Sequence, residues 1–295
     1  MGESFSTDLS TCVASFNVPL QLVSARGGAQ PSLSLHYSSD AGHGVAGVGW
    51  DIGVPFIARQ TDRGNPQYKD PATGGWAATQ DRFVYNGGQE LVPICLVSGT
   101  ACSGKLTGEV MPTWADGSQY FRPRIEGSYL RFFWSPNHKT WRVQSKSGEN
   151  MEFGAPLDGS GDTSGLESDP SNSSHVFRWN LVRQYDAYGD GANPPDATTL
   201  PTPLNPVVYR YLADGSMTYL SDIYDTSPAS NPTKASLSAY AHHTHLAYDS
   251  RPDTSFSFRR GWRVDQNGAS GFRVGAEWQF RASAGGRIEI QLAAV

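Results

Sequence analysis

The chain has 295 residues, enough to bury roughly three quarters of its unfolded surface as one large β domain or two smaller ones. Charged residues make up only 17%, against 32 glycines, 19 prolines and 12% aromatics, a mixture that disfavours helical bundles and disorder and favours a turn-rich all-β fold. A net charge of -5 without a basic cluster argues against a nucleic-acid partner, and no run approaches the ~18 apolar residues of a membrane span.

Residues 1–11 are polar and are expected to form a flexible tail ahead of a single domain over 12–295; they lack the basic and apolar regions of a signal peptide. Gly2 and Ser6 fit a myristoylation pattern that has no polybasic support and is read as chance. Phe16, Val18, Leu20 and Leu22 alternate with polar residues, which predicts a half-buried strand, and Pro19 points to an edge or a bulge. The stretch from Arg26 to Trp50 is the most individual in the chain. It opens on Gly27-Gly28 and alternates Leu33, Leu35 and Tyr37 with Ser32, Ser34 and His36. It then runs through Gly42, Gly44, Gly47 and Gly49 to Trp50. Glycines so dense predict a backbone at positive φ or in close contact with other chain. The indole after them is expected to be a buried anchor whose loss costs about 3–5 kcal/mol.

Ile52 to Arg59 reads as a strand broken by Pro55, and 60–80 as a loop. Arg82–Tyr85 and Glu90–Leu96 flank Asn86-Gly87, a hairpin turn. Cys95 and Cys102 flank a Ser/Gly-rich loop, where they form either a disulfide in an oxidising compartment or two free thiols in a reducing one. Cys12 reads as a small buried hydrophobe. Tyr129–Trp134, Trp141–Ser145 and Met151–Phe153 form a meander. Residues 154–174, 189–206 and 226–238 read as polar surface loops. Between them lie a long strand from Phe177 to Asp186 and a hairpin about Asp214-Gly215. With His245–Tyr248, Ser255–Val264, Phe272–Phe280 and Arg287–Leu292, the count reaches about fourteen strands. Only Thr233–Ala241 approaches a helical window.

Asp158, Ser160, Asp162 and Asp169 fall at the spacing of a calcium loop, but Thr163 stands where the loop needs glycine and no helices flank it; a solvated acidic excursion is preferred. His243 and His245 share one strand face and could hold zinc with a third ligand, for which no partner is evident; surface histidines are preferred. The acidic run from Asp186 to Gly191 reads as a turn. Glu149 and Glu152 would face opposite ways, and no nucleophile elbow, P-loop or dinucleotide fingerprint is found. No cofactor is expected. Trp134, Trp141, Trp179, Trp262 and Trp278 either fill the core or line a glycan-binding face. Exposure of Trp134, Trp141 and Trp262 would favour the face.

Read together, Pro19-Leu20, Gly27-Gly28, Pro31 to Leu35, Tyr37-Ser38-Ser39, Gly42, Gly44 and Gly47 to Trp50 resemble the opening of the SpvB N-terminal region. That region is named for the Salmonella virulence plasmid B protein, and it also begins the B component of Tc toxins and related Rhs-type proteins. Ile57, Arg59, Asp81-Arg82-Phe83, Glu90 to Pro93, Arg178-Trp179, Asp186, Tyr209-Arg210-Tyr211, Tyr248 and Arg251-Pro252-Asp253 follow in the family's order. The likeness spans about residues 16 to 264; the chain after 265 departs from it, and a Pro-rich insertion fills 191–206.

The resemblance implies a non-enzymatic structural module of a secreted toxin or virulence factor. Its antiparallel meander sheets would curl into part of a shell, or a sandwich- or barrel-like layer, that encapsulates or helps deliver a toxic cargo. It implies partners in the rest of that shell, an Rhs-repeat polypeptide and a propeller, or self-association through open sheet edges. Release from the cell is implied, with storage in the bacterial cytoplasm beforehand as a variant. The ADP-ribosyltransferase domain of the virulence protein has no counterpart here, since neither Ser-Thr-Ser nor Glu-x-Glu occurs. A cell-surface or glycan-binding β module is the alternative.

Overall fold

The computed structural model describes residues 4–8, 12–70, 79–94, 115, 117–187, 203–214, 217–228, 236–248, 256–259, 262–265 and 275–280. An N-terminal sheet contains β1 (Ser4–Asp8), β2 (Val13–Leu20), β3 (Leu33–Ser38), β4 (His43–Gly44), β5 (Gly47–Val48) and β6 (Trp50–Ile52), in the spatial order β1-β2-β3-β6-β5-β4. The segment expected to be a tail, 1–11, therefore carries a strand. β1 pairs with β2 from Ser4↔Asn17 to Asp8↔Val13. Its sequence, SFSTD, places one large apolar residue among small polar ones, and that residue, Phe5, is 67% exposed, so no buried face announces the strand. Cys12 sits in the connecting turn at φ 57 and is exposed, contrary to the reading of a buried hydrophobe.

The second sheet explains the meander. β7 (Phe56–Arg59), β8 (Phe83–Tyr85), β9 (Gln89–Pro93), β10 (Gln119–Pro123), β11 (Arg131–Trp134), β12 (Thr140–Gln144) and β13 (Asn150–Gly154) pair in succession, all antiparallel. Asn86 and Gly87 take φ 49 and 73 in the three-residue turn 86–88 between β8 and β9, left-handed conformations that asparagine and glycine accept most readily. β15 (Asn172–Tyr185) then bonds to β13 through Leu181–Tyr185 and to β7 through Arg178–Asn180. Eight strands thereby close into a barrel, and closure leaves none of them with a free edge inside the ring.

β15 is long enough, at 14 residues, to serve two further strands. β14 (Leu166–Asp169) pairs with its N-terminal half, and β16 (Val207–Asp214) starts an extension from Arg183-Gln184. β14 and the start of β15 lie inside 154–174, which the sequence presents as a polar loop. Leu166-Glu167-Ser168-Asp169 offers a single apolar residue, too few for an alternation to register. β17 (Met217–Asp225), β18 (His242–Ala247) and β21 (Gly275–Phe280) continue the extension, and β19 (Phe256–Arg259) pairs with β20 (Trp262–Asp265). The Thr233–Ala241 window holds one 3-10 turn, Leu237–Ala239. No helix among the described residues is long and apolar enough to cross a membrane.

Side chains from β8, β10, β11, β12 and β15 meet inside the barrel. The Phe83 ring lies 5.7, 4.8, 5.0 and 5.8 Å from those of Phe121, Trp134, Trp141 and Trp179, edge to face with each. All three indoles are fully buried. A barrel of eight strands has an interior just wide enough for side chains to fill, and here aromatics fill it.

Candidate functional site

A buried charged cluster borders this interior. Arg59, the last residue of β7, lays its guanidinium 4.7 to 5.8 Å from the rings of Tyr68, Phe83, Trp179 and Trp134. Its Nε donates to the Val176 carbonyl at 2.7 Å, and its other nitrogens reach Asp70 at 2.5 and 2.9 Å and Asp81 at 2.9 Å. Asp81 also accepts the backbone N–H groups of Gln67 and Tyr68. The cluster ties the barrel core to the 60–81 loop, and every charge in it is paired, as burial demands.

A second buried set joins β13 to β15. Glu152 accepts from Arg183 at 3.1 Å, from the Tyr185 hydroxyl at 2.9 Å and from the Leu157 N–H at 2.9 Å. Burial and the adjacent Glu152 push the Tyr185 hydroxyl far above its ordinary pKa, so it stays protonated and donates. Glu149 instead accepts from Gln184. The two glutamates serve different partners, as their spacing predicts.

The glycine-rich stretch is architectural in its geometry. A Cβ on Gly44 would stand 2.0 Å from the Trp50 carbonyl oxygen, and Gly49, at φ +77, lies against the Tyr37 ring. Gly27-Gly28 has its own clamp: the Gly28 N–H donates to Asp186 at 2.9 Å, and Asn205 donates to the same oxygen at 3.1 Å. Asp186 is thus a buried tie across the chain, and the rest of the acidic run, 188–191, lies outside the described residues. Trp50 packs on Tyr37 at 5.2 Å and edge-on to Phe16 at 6.1 Å, but it is half-buried, not the buried anchor expected. On an open sheet face the indole meets the N-terminal strands from one side only. Trp50→Ala should therefore cost about 1–2 kcal/mol, the share of a half-buried aromatic, rather than 3–5; urea unfolding measures it. Arg251, Pro252, Asp253, Cys95 and Cys102 lie outside the described residues.

The calcium-loop candidates are not gathered round a common point. Asp158 accepts the Ser160 N–H, the Ser160 hydroxyl accepts the Asp162 N–H, and Asp169 accepts from Ser171 in the β14–β15 turn. Asp162 accepts from Ser164 and pairs with Arg210 at 3.1 Å. These are local turn bonds of the kind short polar side chains make.

The histidines are different. Across β17 and β18 the register sets Asp222 opposite His245 and Tyr224 opposite His243. The Asp222 Oδ1 accepts from His243 Nε2 at 2.7 Å and from His245 Nδ1 at 2.8 Å. Tyr224 stacks on the His243 ring at 4.4 Å and 4°. Asp222 is the third partner that the sequence did not reveal. Burial alone pushes its carboxyl up, but hydrogen bonds from His243, Ser221 and His245 outweigh it and hold the pKa down at about 2. A depressed carboxyl stabilises the fold above its unfolded value near 3.8, and that contribution is lost as pH falls through the folded value. Asp222→Asn should flatten the loss of stability between about pH 4 and about pH 2, followed by denaturant melts across that range. His242 faces a separate partner, Asp225, at 2.6 Å.

One cavity, of about 80 Å³, lies among Asp51, Glu167, Arg178, Tyr211, Thr218 and Tyr248. Asp51 stays open to solvent on one side, so the upward push of desolvation on its carboxyl is only partial, and Arg178 pulls against it. Glu167 is buried with the Arg178 Nε at 4.0 Å. The space is well below the ~300 Å³ of a small-molecule site, and a carboxylate opposite an arginine is not an acid–base pair.

Known proteins share this fold. The family described as SpvB, Salmonella virulence plasmid 65kDa B protein, matches residues 10–193. The mono(ADP-ribosyl)transferases SpvB of Salmonella typhimurium (strain 14028s / SGSC 2262) and Salmonella dublin are each 26% identical over 296 residues, which cover 94% of this chain and 47% of theirs. The chain thus spans about half the length of these relatives. The N-terminal domain of effector protein SpvB from Salmonella typhimurium strain LT2 superposes with a TM-score of 0.61 at 20% identity, over 92% of this chain and 89% of that domain. The crystal structure of TcdB2-TccC3 gives 0.67 at 18% identity, over 95% of this chain and 14% of the other. The Photorhabdus luminescens Tc holotoxin pore gives 0.68 at 19%, over 95% and 13%. At these identities the structures share a fold. The family match covers more than half of the sequence and takes in the glycine-rich stretch and all eight barrel strands: this chain belongs to the SpvB family.

Proposed function

We propose that the chain is a non-enzymatic wall segment of a secreted toxin or virulence factor, joining other segments to enclose or deliver a toxic polypeptide. The burial of the tryptophans carries this reading. Trp134, Trp141 and Trp179 are all 0% exposed, so they hold the barrel rigid and present no flat aromatic face to a glycan. The side chains of Trp262 and Trp278 lie outside the described residues. Two further observations support it: the likeness to the SpvB N-terminal domain, nearly all of which is covered, and a sheet that runs outward from the barrel through β16, β17 and β18. A sheet extended laterally with short turns is a natural wall element.

The remaining partners would be an Rhs-repeat polypeptide and a propeller. Co-expression of the chain with an Rhs-repeat polypeptide tests the reading. A stable complex that shields a C-terminal cargo from added protease is the expected result. Failure to co-purify, together with selective retention on a glycan array, would favour the binding module instead. A parallel assay with labelled NAD should show no transfer of ADP-ribose to protein by this chain.

A further inference from the structure

We propose that Asp222, His243 and His245 form a binding site for a divalent transition-metal ion, Zn²⁺ by preference, that bridges β17 and β18. Two imidazole nitrogens and one carboxylate oxygen, all within 4.8 Å of one another, make up the donor set. It is the only such group among the described residues. The set is formed by regular backbone: His243 and His245 are two apart on β18 and so share a face, while the register brings Asp222 directly opposite His245.

The fit is close without being tight. The donors now hydrogen-bond to one another at 2.7 and 2.8 Å. A tetrahedral zinc with ligands at about 2.0–2.2 Å sets neighbouring donor atoms roughly 3.3 Å apart. Small rotations of the two rings and the carboxylate supply the difference, and the ion would replace the protons now shared among them. Imidazole donors favour zinc and its neighbours over calcium or magnesium, which prefer all-oxygen shells. The His243 ring is already held by Tyr224, stacked on it at 4.4 Å, and such outer contacts fix ligand orientation. The His245 side chain is 40% exposed, so an ion can enter from solvent and keep a water in its fourth position. The neighbouring pair of His242 and Asp225 has no third histidine, cysteine or carboxylate beside it among the described residues, only the Thr226 hydroxyl, and serves as an internal control.

The test uses the full chain, free of any affinity tag and stripped with chelator, titrated calorimetrically with zinc chloride near neutral pH. One ion per chain, bound in the micromolar range or tighter, is expected. His245→Ala and Asp222→Asn should each weaken binding at least about tenfold, while His242→Ala should leave it unchanged. His245 is half exposed, so its variant is the one least exposed to folding failure, and circular dichroism verifies that it folds. Cobalt substitution separates this site from the cysteines: a spectrum without thiolate charge-transfer bands supports the assignment. Thiolate bands, equal binding by the His245→Ala variant, or no binding at millimolar zinc would each overturn it.

Discussion

Arg59→Met should lower the stability of the fold by about 3–5 kcal/mol, seen as a large drop in the urea midpoint with little change in slope. The methionine fills much of the arginine's volume, so the loss is not mainly a cavity. It comes from Asp70 and Asp81, each with a side chain only 9% exposed, which would be left as buried carboxylates without a cation. The Val176 carbonyl would also lose its donor. Breaking one partner of a buried pair is far costlier than the pair's net worth, because the remaining charge has lost its solvent as well. A triple variant that also replaces Asp70 and Asp81 with asparagine should recover a good part of the loss. If Arg59→Met alone shifts the midpoint only slightly, the arginine is not the tie between core and loop described above.

Trp179→Ala should cost about 3–5 kcal/mol as well, by a different route. Its indole touches Phe83, Trp134 and Trp141, and its Nε1 donates to the His138 carbonyl at 3.0 Å. Rings on three other strands cannot all collapse into the space it leaves, so a cavity remains. Trp179 also sits on the closing strand, opposite Ile57 of β7. The variant should therefore loosen the β7–β15 seam first, visible as faster amide exchange at Phe56–Arg59 than in β11 or β12. Arg59 stacks over the same indole at 5.5 Å, so the two substitutions should be non-additive.

Local features of this fold were legible in the sequence. Asn86-Gly87 announced its hairpin, Phe132, Trp134, Trp141 and Val143 announced the meander, and the ordered glycine and aromatic positions announced the family. The barrel itself was not legible. Its closure depends on Phe153 meeting Leu181 and Ile57 meeting Trp179, pairings of distant segments that leave no local periodicity. Strands without an apolar alternation, such as β1, β4, β5 and β14, carry no signal that separates them from tail or loop. Trp50 is only half-buried, and a sequence does not say whether one side of an indole or both will be covered. Asp222 was missed for the same reason as the barrel. It meets the histidines only through the register of β17 on β18, across a loop with no pattern of its own.

We propose that this chain is one segment of a larger wall, which covers its open sheet edges. Multi-angle light scattering on the purified chain, alone and then mixed with the Rhs-repeat segment, tests it most directly. The chain alone should self-associate with rising concentration, and a defined heterocomplex should replace those species when the partner is added. A monodisperse, stable monomer that remains monomeric in the presence of the partner would contradict it.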